Sequence, residues 1–212
     1  MLYRIEDNSK TMNLKTYDYK GRYASYWHQI DEIEKINSDG GHLEVGPGTK
    51  FVTGRLKERG VAVSTLDIDE AVCPDYLGSV LSIPVEDGFF ESSSAFEVLE
   101  HVEFEFFQPA LCELARVSRR GVVISVPDVN YSLDINISLF SNKHAFSRVY
   151  SFPRLTNRSL PPYRKGGHHW ELGRPGYPVN KVKNQIPNSL HLENHYRVPG
   201  NPIHHFFVMH CK

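Results

Sequence analysis

Apolar side chains recur along the first 128 residues in two alternating patterns. Spacing of three and four residues predicts helices over Tyr23–Ile36, Thr49–Arg59 and Phe106–Val117. Short apolar runs predict buried strands between them, at His42–Val45, Val61–Leu66, Phe90–Leu99 and Gly121–Val126. The regular alternation of strand and helix indicates an α/β fold with a Rossmann-like, doubly wound and mostly parallel sheet.

This pattern ends after Pro127. Residues 128–200 are rich in Pro, Gly, Asn, Arg and His and carry only weak periodicity. Two later apolar stretches, His191–Val198 and His205–His210, predict an antiparallel hairpin that closes the sheet. The sequence therefore divides into four parts: a flexible N-terminus (1–21), a core (22–128), an inserted lid segment (129–190) and the closing hairpin (191–212).

The composition is that of one globular domain without a membrane anchor. Hydrophobic side chains make up 40% of the 212 residues, which excludes a wholly disordered chain. The chain has no run of about 18 apolar residues and no apolar signal core at its N-terminus. Three widely spaced cysteines, Cys73, Cys112 and Cys211, indicate neither a disulfide framework nor a metal knuckle. We therefore expect a cytoplasmic protein that does not bind membranes.

Charge is distributed unevenly although the net charge is -1. Residues 1–140 carry 13 basic and 23 acidic side chains, whereas residues 141–212 carry 11 basic and 2 acidic ones. The basic part either faces an anionic substrate or packs against the acidic part of the same chain. Its arginines and interleaved aromatic residues also suit RNA, but a sequence pI of 6.8 is low for a nucleic-acid-binding domain.

A glycine turn follows the first predicted strand, in the segment Glu44-Val45-Gly46-Pro47-Gly48. Two glycines allow a sharp reversal from strand to helix and a close approach of backbone to a ligand. Phe51 stands where a dinucleotide-binding turn needs its third glycine, so NAD is disfavoured. Glu44 instead suits a ligand that carries an ammonium or sulfonium group. A plain tight loop is the alternative interpretation.

Acidic residues stand at the end of the second predicted strand. Asp67 follows Gly46 by about 20 residues, the spacing at which a carboxylate accepts both hydroxyls of a ribose. Asp69 is the neighbouring candidate for the same role. A solvated turn or a helix N-cap is the alternative for both residues.

These motifs, in this order, closely resemble the class I methyltransferases that use S-adenosylmethionine, in their small-molecule type. The resemblance covers about residues 22–128, which would form the cofactor-binding core. The motifs that carry it are Glu44–Thr49, Leu66–Asp69, Phe90-Glu91, Val98-Leu99-Glu100-His101 after the fourth strand, and Pro127-Asp128.

The resemblance implies S-adenosylmethionine as cofactor and a role for each matched residue. Glu44 would hold its methionine part, the Gly46-Pro47-Gly48 turn would approach it, and Asp67 would bind the ribose. Ile68 would lie against the adenine ring, with Ser79 and Val80 at the adenine edge. Glu97 would lie beside the sulfur. The helix with Tyr23 and Trp27 resembles the lid helix of the family, which contacts substrate.

Three departures from the family pattern leave an alternative open. Lys50 replaces a small residue of the turn, Ser79 replaces an aspartate that many members use for the adenine amino group, and Ser92-Ser93-Ser94 puts hydroxyls in a central strand. A buried hydroxyl without a partner costs about 1–3 kcal/mol. The fourth strand would then be distorted, and the chain would be a catalytically degenerate cofactor-binding or scaffold protein.

The lid segment holds the candidate catalytic residues. Glycines flank His168-His169-Trp170-Glu171, and histidine is the natural general base near neutral pH. His169 or His168 would take a proton while Glu171 orients the imidazole. We expect Trp170, Arg164 and His101 to contact substrate. A structural loop in which Trp170 fills the core is the alternative.

Eleven histidines raise the question of a metal site. In the adjacent pairs His168-His169 and His204-His205, at most one ring of each pair points inward. We therefore expect no bound metal. The leading hypothesis is a methyltransferase that acts on oxygen or nitrogen of a small, anionic acceptor, phosphorylated or nucleotide-linked. An RNA methyltransferase is the alternative within the same chemistry, and the oligomeric state stays open.

Overall fold

The computed structural model describes residues 18–38, 40–138, 145–153 and 167–212. Four α-helices are found in these ranges: α1 (Lys20–Ile36), α2 (Phe51–Glu58), α3 (Phe107–Val117) and α4 (Val179–Lys183). The strands are β1 (His42–Val45), β2 (Val63–Asp67), β3 (Tyr76–Leu77), β4 (Phe90–Phe96), β5 (Ser118–Pro127), β6 (Tyr131–Ser138), β7 (Ala145–Phe152), β8 (Leu190–Val198) and β9 (Asn201–Cys211).

Seven strands form one sheet in the order β3-β2-β1-β4-β5-β9-β8. The first five strands are parallel, and β9 and β8 are antiparallel to their neighbours. The predicted α/β fold, with a mostly parallel sheet and a C-terminal antiparallel hairpin, is confirmed. Strand order reverses between β1 and β4, which opens a crevice at the carboxyl ends of these strands.

Helices cover both faces of this sheet. On one face, α1 and α2 pack together through Ile33 and Leu56, and Ile36 of α1 joins the β5 and β9 residues Val123 and Phe206. The amphipathic helix α3 buries its apolar side on the other face. The near-continuous apolar run of β5 is explained by burial from both sides.

The serine run in β4 is fully buried and fully paired. His42 of β1 lies between two of the three serines, with Nδ1 2.7 Å from Ser92 Oγ and Nε2 2.9 Å from Ser94 Oγ. Ser92 donates its hydroxyl to Asn37 Oδ1. Ser92 therefore accepts from His42 Nδ1–H, and Ser94 donates to Nε2. One neutral tautomer of His42 satisfies both serines.

The third serine of the run faces the opposite side of the sheet. Ser93 Oγ donates to the carbonyl of Leu114 at 3.2 Å, and Ser118 Oγ donates to the same carbonyl at 2.7 Å and lies 2.8 Å from Ser93 Oγ. That carbonyl belongs to the last turn of α3, where backbone acceptors lack partners inside the helix. The two hydroxyls thus hold the end of α3 to the sheet. The serine run itself pairs regularly with β1 and β5, and the register shift between β4 and β5 falls just before it, between Phe90 and Ser92.

Several boundaries differ from the prediction. Strand β4 ends at Phe96, and the residues predicted to continue it form a 3-10 turn at Leu99–His101. The short edge strand β3 was not predicted. The hairpin turn is confined to residues 199–200, because Asn201 already pairs with Val198 in the ladder.

The predicted lid segment contains an antiparallel ribbon, β6 and β7, that the weak periodicity did not reveal. The buried guanidinium of Arg197 on β8 holds its base, donating to the carbonyls of Asp128, Asn130 and Tyr131, each at 3.1 Å. Residues 1–17 of the predicted flexible N-terminus lie outside the described residues, as does the 154–166 part of the lid. Within the described ranges, no helix combines the length and the apolar character needed to cross a membrane.

His42→Ala is expected to lower the free energy of unfolding by at least about 2 kcal/mol, because two buried serine hydroxyls lose their partner. Burial also lowers the pKa of His42 to about 3 from 6.5. The unfolded imidazole therefore binds a proton between these pH values while the folded one does not. The stability advantage of the wild type over the variant should shrink by up to about 1.4 kcal/mol per pH unit as pH falls from 6.5 towards 3.

Denaturant unfolding at several pH values measures both effects. His191→Ala on the exposed side of β8 is the matched control and should change stability by less than about 0.5 kcal/mol at every pH. An equal, small effect of both substitutions would contradict a structural role for the His42 contacts.

Candidate functional site

A cavity of about 310 Å³ lies at the carboxyl ends of β1, β2 and β4, where the strand order reverses. This is the place where open α/β sheets bind ligands. The predicted substrate residue His101 also lines it. Seven of the nine residues predicted to bind the cofactor line it: Gly46, Gly48, Asp67, Ile68, Ser79, Val80 and Glu97.

The glycine turn forms the floor of this cavity. Gly46 has φ +67°, and a Cβ there would lie 2.4 Å from Cγ2 of Val98, so Val98 or the turn would have to shift. Gly48 also has positive φ, at 48°. Lys50 takes a left-handed conformation with φ 57° just before α2, and its ammonium donates to the Cys73 carbonyl at 2.7 Å. The departure at Lys50 is therefore accommodated outside the cavity.

Glu44 lies beneath the turn and does not line the cavity. Its carboxylate accepts the hydroxyl and the backbone N–H of Thr53, in the first turn of α2. Burial raises the pKa of Glu44 to about 7. The structure thus gives Glu44 a contact that fixes α2 to β1, and the predicted direct contact with a methionine group stays a prediction. Pro47 also lies outside the lining.

Asp67 stands at the end of β2 on the cavity rim. Its Oδ1 accepts the backbone N–H of Asp69 at 2.9 Å, and burial raises the pKa of Asp67. Ile68 beside it keeps 51% of its side chain exposed, an apolar surface at the cavity wall. Asp69 instead caps the 3-10 helix Glu70–Val72 by accepting the N–H of Ala71, so it is a helix cap as the alternative interpretation expected.

Glu97 follows β4 directly and has φ 56°, a left-handed conformation that costs a residue other than glycine about 1–3 kcal/mol. The strain is compensated by contacts on both carboxylate oxygens. Ser125 donates its hydroxyl to Oε1 at 2.9 Å, and Nε2 of the fully buried His204 lies 3.6 Å from Oε2. A carboxylate is thereby held in the cavity wall by two strands, β5 and β9.

A chain of polar contacts runs from the cavity wall into the lid segment. The rings of His101 and His168 lie edge to face with centroids 4.8 Å apart. Nδ1 of His168 lies 2.9 Å from Oε1 of Glu171, and Arg174 Nε donates to Oε2 of Glu171 at 2.6 Å. The predicted orientation of a histidine by Glu171 is present for His168, but His168 reaches the cavity only through His101.

Other predicted site residues lie elsewhere. Trp170 is fully buried in the main core, where its indole N–H donates to the carbonyls of Leu99 and Val102, so it cannot contact a substrate in this structure. His169 is exposed and away from the cavity. Tyr23 and Trp27 line grooves beside α1 and not this cavity. Arg164 lies outside the described residues.

A further polar cluster escaped the sequence analysis. His205 Nδ1 lies 2.9 Å from Oδ2 of the buried Asp128, and its Nε2 lies 3.0 Å from Nδ1 of His195. The three side chains line a second cavity of about 610 Å³ beside Arg174. Pro127-Asp128 carries a motif, but only the pairing of β5, β9 and β8 brings the two histidines to it.

Residues 43–126 match a family model described as a methyltransferase domain. No curated protein matches the chain. A SAM-dependent methyltransferase from Aquifex aeolicus has the same fold, with a TM-score of 0.59 and 12% identity over 94% of this chain and 97% of that chain.

Two methyltransferases with stated substrates share the fold. The 1,6-didemethyltoxoflavin-N1-methyltransferase of Burkholderia thailandensis has a TM-score of 0.55 and 14% identity, over 94% of this chain and 81% of that chain. The magnesium protoporphyrin IX methyltransferase of Synechocystis PCC 6803 has a TM-score of 0.55 and 10% identity, over 99% and 88%.

The strand order, the glycine turn below the cavity and the domain match all indicate similarity to methyltransferases. The match of residues 43–126 to a methyltransferase domain agrees with the resemblance to class I, S-adenosylmethionine-dependent methyltransferases that the motifs carry. The family match covers residues 43–126, and the shared fold extends over nearly the whole chain.

Gly46→Ala is expected to lower the free energy of unfolding by about 1–3 kcal/mol, because a Cβ at positive φ meets Val98. Gly54→Ala in α2 is the matched control, since nothing lies within 4 Å of a Cβ at that position. It should leave stability unchanged or raise it by up to about 1 kcal/mol. Thermal unfolding of both variants checks this, and equal melting temperatures would contradict the close contact.

Proposed function

We propose that the protein transfers the methyl group of S-adenosylmethionine to oxygen or nitrogen of a small, anionic acceptor. The observation that carries this proposal is the cavity at the carboxyl ends of β1, β2 and β4. Its lining includes a glycine turn whose backbone a ligand can approach closely, the carboxylate of Asp67 and the apolar side chain of Ile68. These features suit the methionine, ribose and adenine parts of the cofactor in turn.

The transfer needs position more than acid–base chemistry. A lone pair of the acceptor attacks the methyl carbon in line with the sulfur, the carbon–sulfur bond breaks, and the acceptor loses one proton. Two reactants held in such an arrangement gain much of their rate from orientation alone. Glu97 and His101 are the polar side chains of the cavity wall that we assign to the sulfur end, where the acceptor would enter.

The proposal also specifies the acceptor as a small, anionic molecule. Two proteins of the same fold are named for small-molecule substrates, didemethyltoxoflavin and magnesium protoporphyrin IX. The excess of basic residues in 141–212 favours an anionic group, phosphorylated or nucleotide-linked. The basic, aromatic stretch that motivated an RNA substrate belongs to a chain with a sequence pI of 6.8, which is low for a nucleic-acid-binding domain, so the small acceptor is preferred.

The alternative of a degenerate, non-catalytic protein loses its main support. It depended on a distorted fourth strand, yet His42 and Leu114 satisfy all three serines of β4. It also depended on Lys50, whose ammonium lies outside the cavity lining and bonds to Cys73. Both departures from the family pattern therefore leave the cavity intact.

Calorimetric titration with S-adenosylmethionine and S-adenosylhomocysteine tests the proposal. The wild type should bind both at micromolar concentration. Asp67→Ala should weaken both by about tenfold to a hundredfold, because each hydrogen bond lost to a charged group is worth about 1.5–3 kcal/mol. Asp69→Ala is the matched control: its carboxylate caps a 3-10 helix outside the cavity, so binding should stay within about twofold.

Two results would overturn the assignment. Absence of binding to either molecule at millimolar concentration would reject the cofactor site. Equal affinity in the wild type and in Asp67→Ala would reject the role of Asp67 while leaving the fold unaffected. Transfer of a labelled methyl group to phosphorylated sugars and nucleotides then tests the acceptor class.

A further inference from the structure

We propose that Glu100, His101 and His168 form a binding site for one divalent transition-metal ion at the wall of the cofactor cavity. The placement of this ion on the acceptor side rests on the proposed function, whereas the binding of the ion does not. From the sequence we expected no metal, because the adjacent histidines of each pair cannot both point inward. The fold instead brings together one histidine from the turn after β4 and one from the lid segment.

The distances suit a three-ligand site. One ligand atom from each of the three side chains can be chosen so that all three lie within 4.8 Å of one another, and His168 Nε2 lies 4.0 Å from Glu100 Oε1. Ligand atoms around a tetrahedral ion at about 2.1 Å are roughly 3.4 Å apart. The three ligand atoms lie farther apart than this. Shifts of about 1 Å in two side chains would bring them to the distances of a tetrahedral site.

The surroundings of His168 are those of a metal ligand. Its Nδ1 lies 2.9 Å from Glu171, which leaves Nε2 directed towards Glu100. A carboxylate on the far nitrogen fixes the tautomer and the ring orientation of a ligating histidine and raises its basicity. Arg174 holds the second oxygen of Glu171 at 2.6 Å.

The backbone around the cluster is held in place independently. The N–H of His169 donates to the Glu100 carbonyl at 2.8 Å. The Trp170 indole donates to the carbonyls on either side, Leu99 at 3.1 Å and Val102 at 3.2 Å. Three hydrogen bonds therefore clamp the lid segment onto the turn that carries Glu100 and His101. Such support positions ligands before an ion arrives.

The charge of Glu100 and the position of His101 also suit a metal ion. Glu100 is fully buried, and its carboxylate adds a negative charge beside the two imidazoles, which favours the binding of a divalent cation. Two imidazoles and one carboxylate favour Mn²⁺, Co²⁺ or Zn²⁺ over Mg²⁺. His101 lines the cavity beside Glu97, so an open coordination position would face the acceptor.

Calorimetry on the full chain after chelator treatment tests the site, with Mn²⁺, Zn²⁺ and Mg²⁺ each added alone. One equivalent of Mn²⁺ or Zn²⁺ should bind. His168→Ala should weaken that binding at least tenfold, and Glu171→Gln by about tenfold to a hundredfold. His169→Ala is the matched control, because its exposed ring lies outside the cluster, and it should bind like the wild type.

His168→Gln, which keeps the size of the side chain, replaces His168→Ala if the latter does not fold. A wild type without a stoichiometric site, or equal affinity in the wild type and the His168 variants, would overturn the proposal. S-adenosylmethionine titration of the same samples keeps the two proposals apart. Metal binding without cofactor binding rejects the proposed function alone, and the reverse result rejects the metal site alone.

Discussion

The His42 imidazole, buried between β1 and β4, is the contact on which the central sheet depends. Strand β4 carries three hydroxyls in a place where both faces of the sheet are covered, and such groups are tolerated there only when each has a partner. His42 satisfies two of them in one neutral tautomer, and the end of α3 satisfies the third. The same contact joins the two strands, β1 and β4, at whose carboxyl ends the strand order reverses and the crevice opens. The glycine turn and Glu97 both extend directly from these two strands.

The lid segment supports the cavity wall by packing and hydrogen bonds, and most of its described residues do not line the cavity. Trp170 lies in the core and donates to the carbonyls at both ends of the turn that carries His101, so the segment is tied directly to the cavity wall. His168 and Glu171 continue this contact outward to Arg174 and the second cavity. Buried networks of this kind are strong when every member is paired, and they specify one arrangement of the chain. The polar groups nearest the sulfur end of the proposed cofactor are thereby held before any substrate binds.

Histidines and acids meet at two places along the carboxyl edge of the sheet, and the two clusters differ in character. Glu100, His101 and His168 surround a point beside the cofactor cavity. Asp128, His205 and His195 instead form a linear relay that ends at a larger cavity under the β6–β7 ribbon. Arg197 joins the start of this ribbon to the sheet through backbone carbonyls. The uneven charge along the sequence is thus partly resolved inside the molecule, where basic residues of the C-terminal part meet acids such as Asp128.

The sequence by itself determined the order of the core strands β1, β2, β4 and β5 and of the helices between them, the glycine turn, Asp67 at the end of β2 and the resemblance of this core to methyltransferases. These features follow from local spacing, because a buried strand and a turn that needs positive φ leave their pattern within a few residues. Only the tertiary structure decided that Trp170 is core, that His168 and not His169 points inward, and that His42 pairs with the serines. It also decided that His205 and His195 join Asp128, and that β6 and β7 form a ribbon. The direction of a side chain in a loop depends on long-range backbone anchors such as the Glu100 carbonyl, and the partners of a strand depend on register between distant segments.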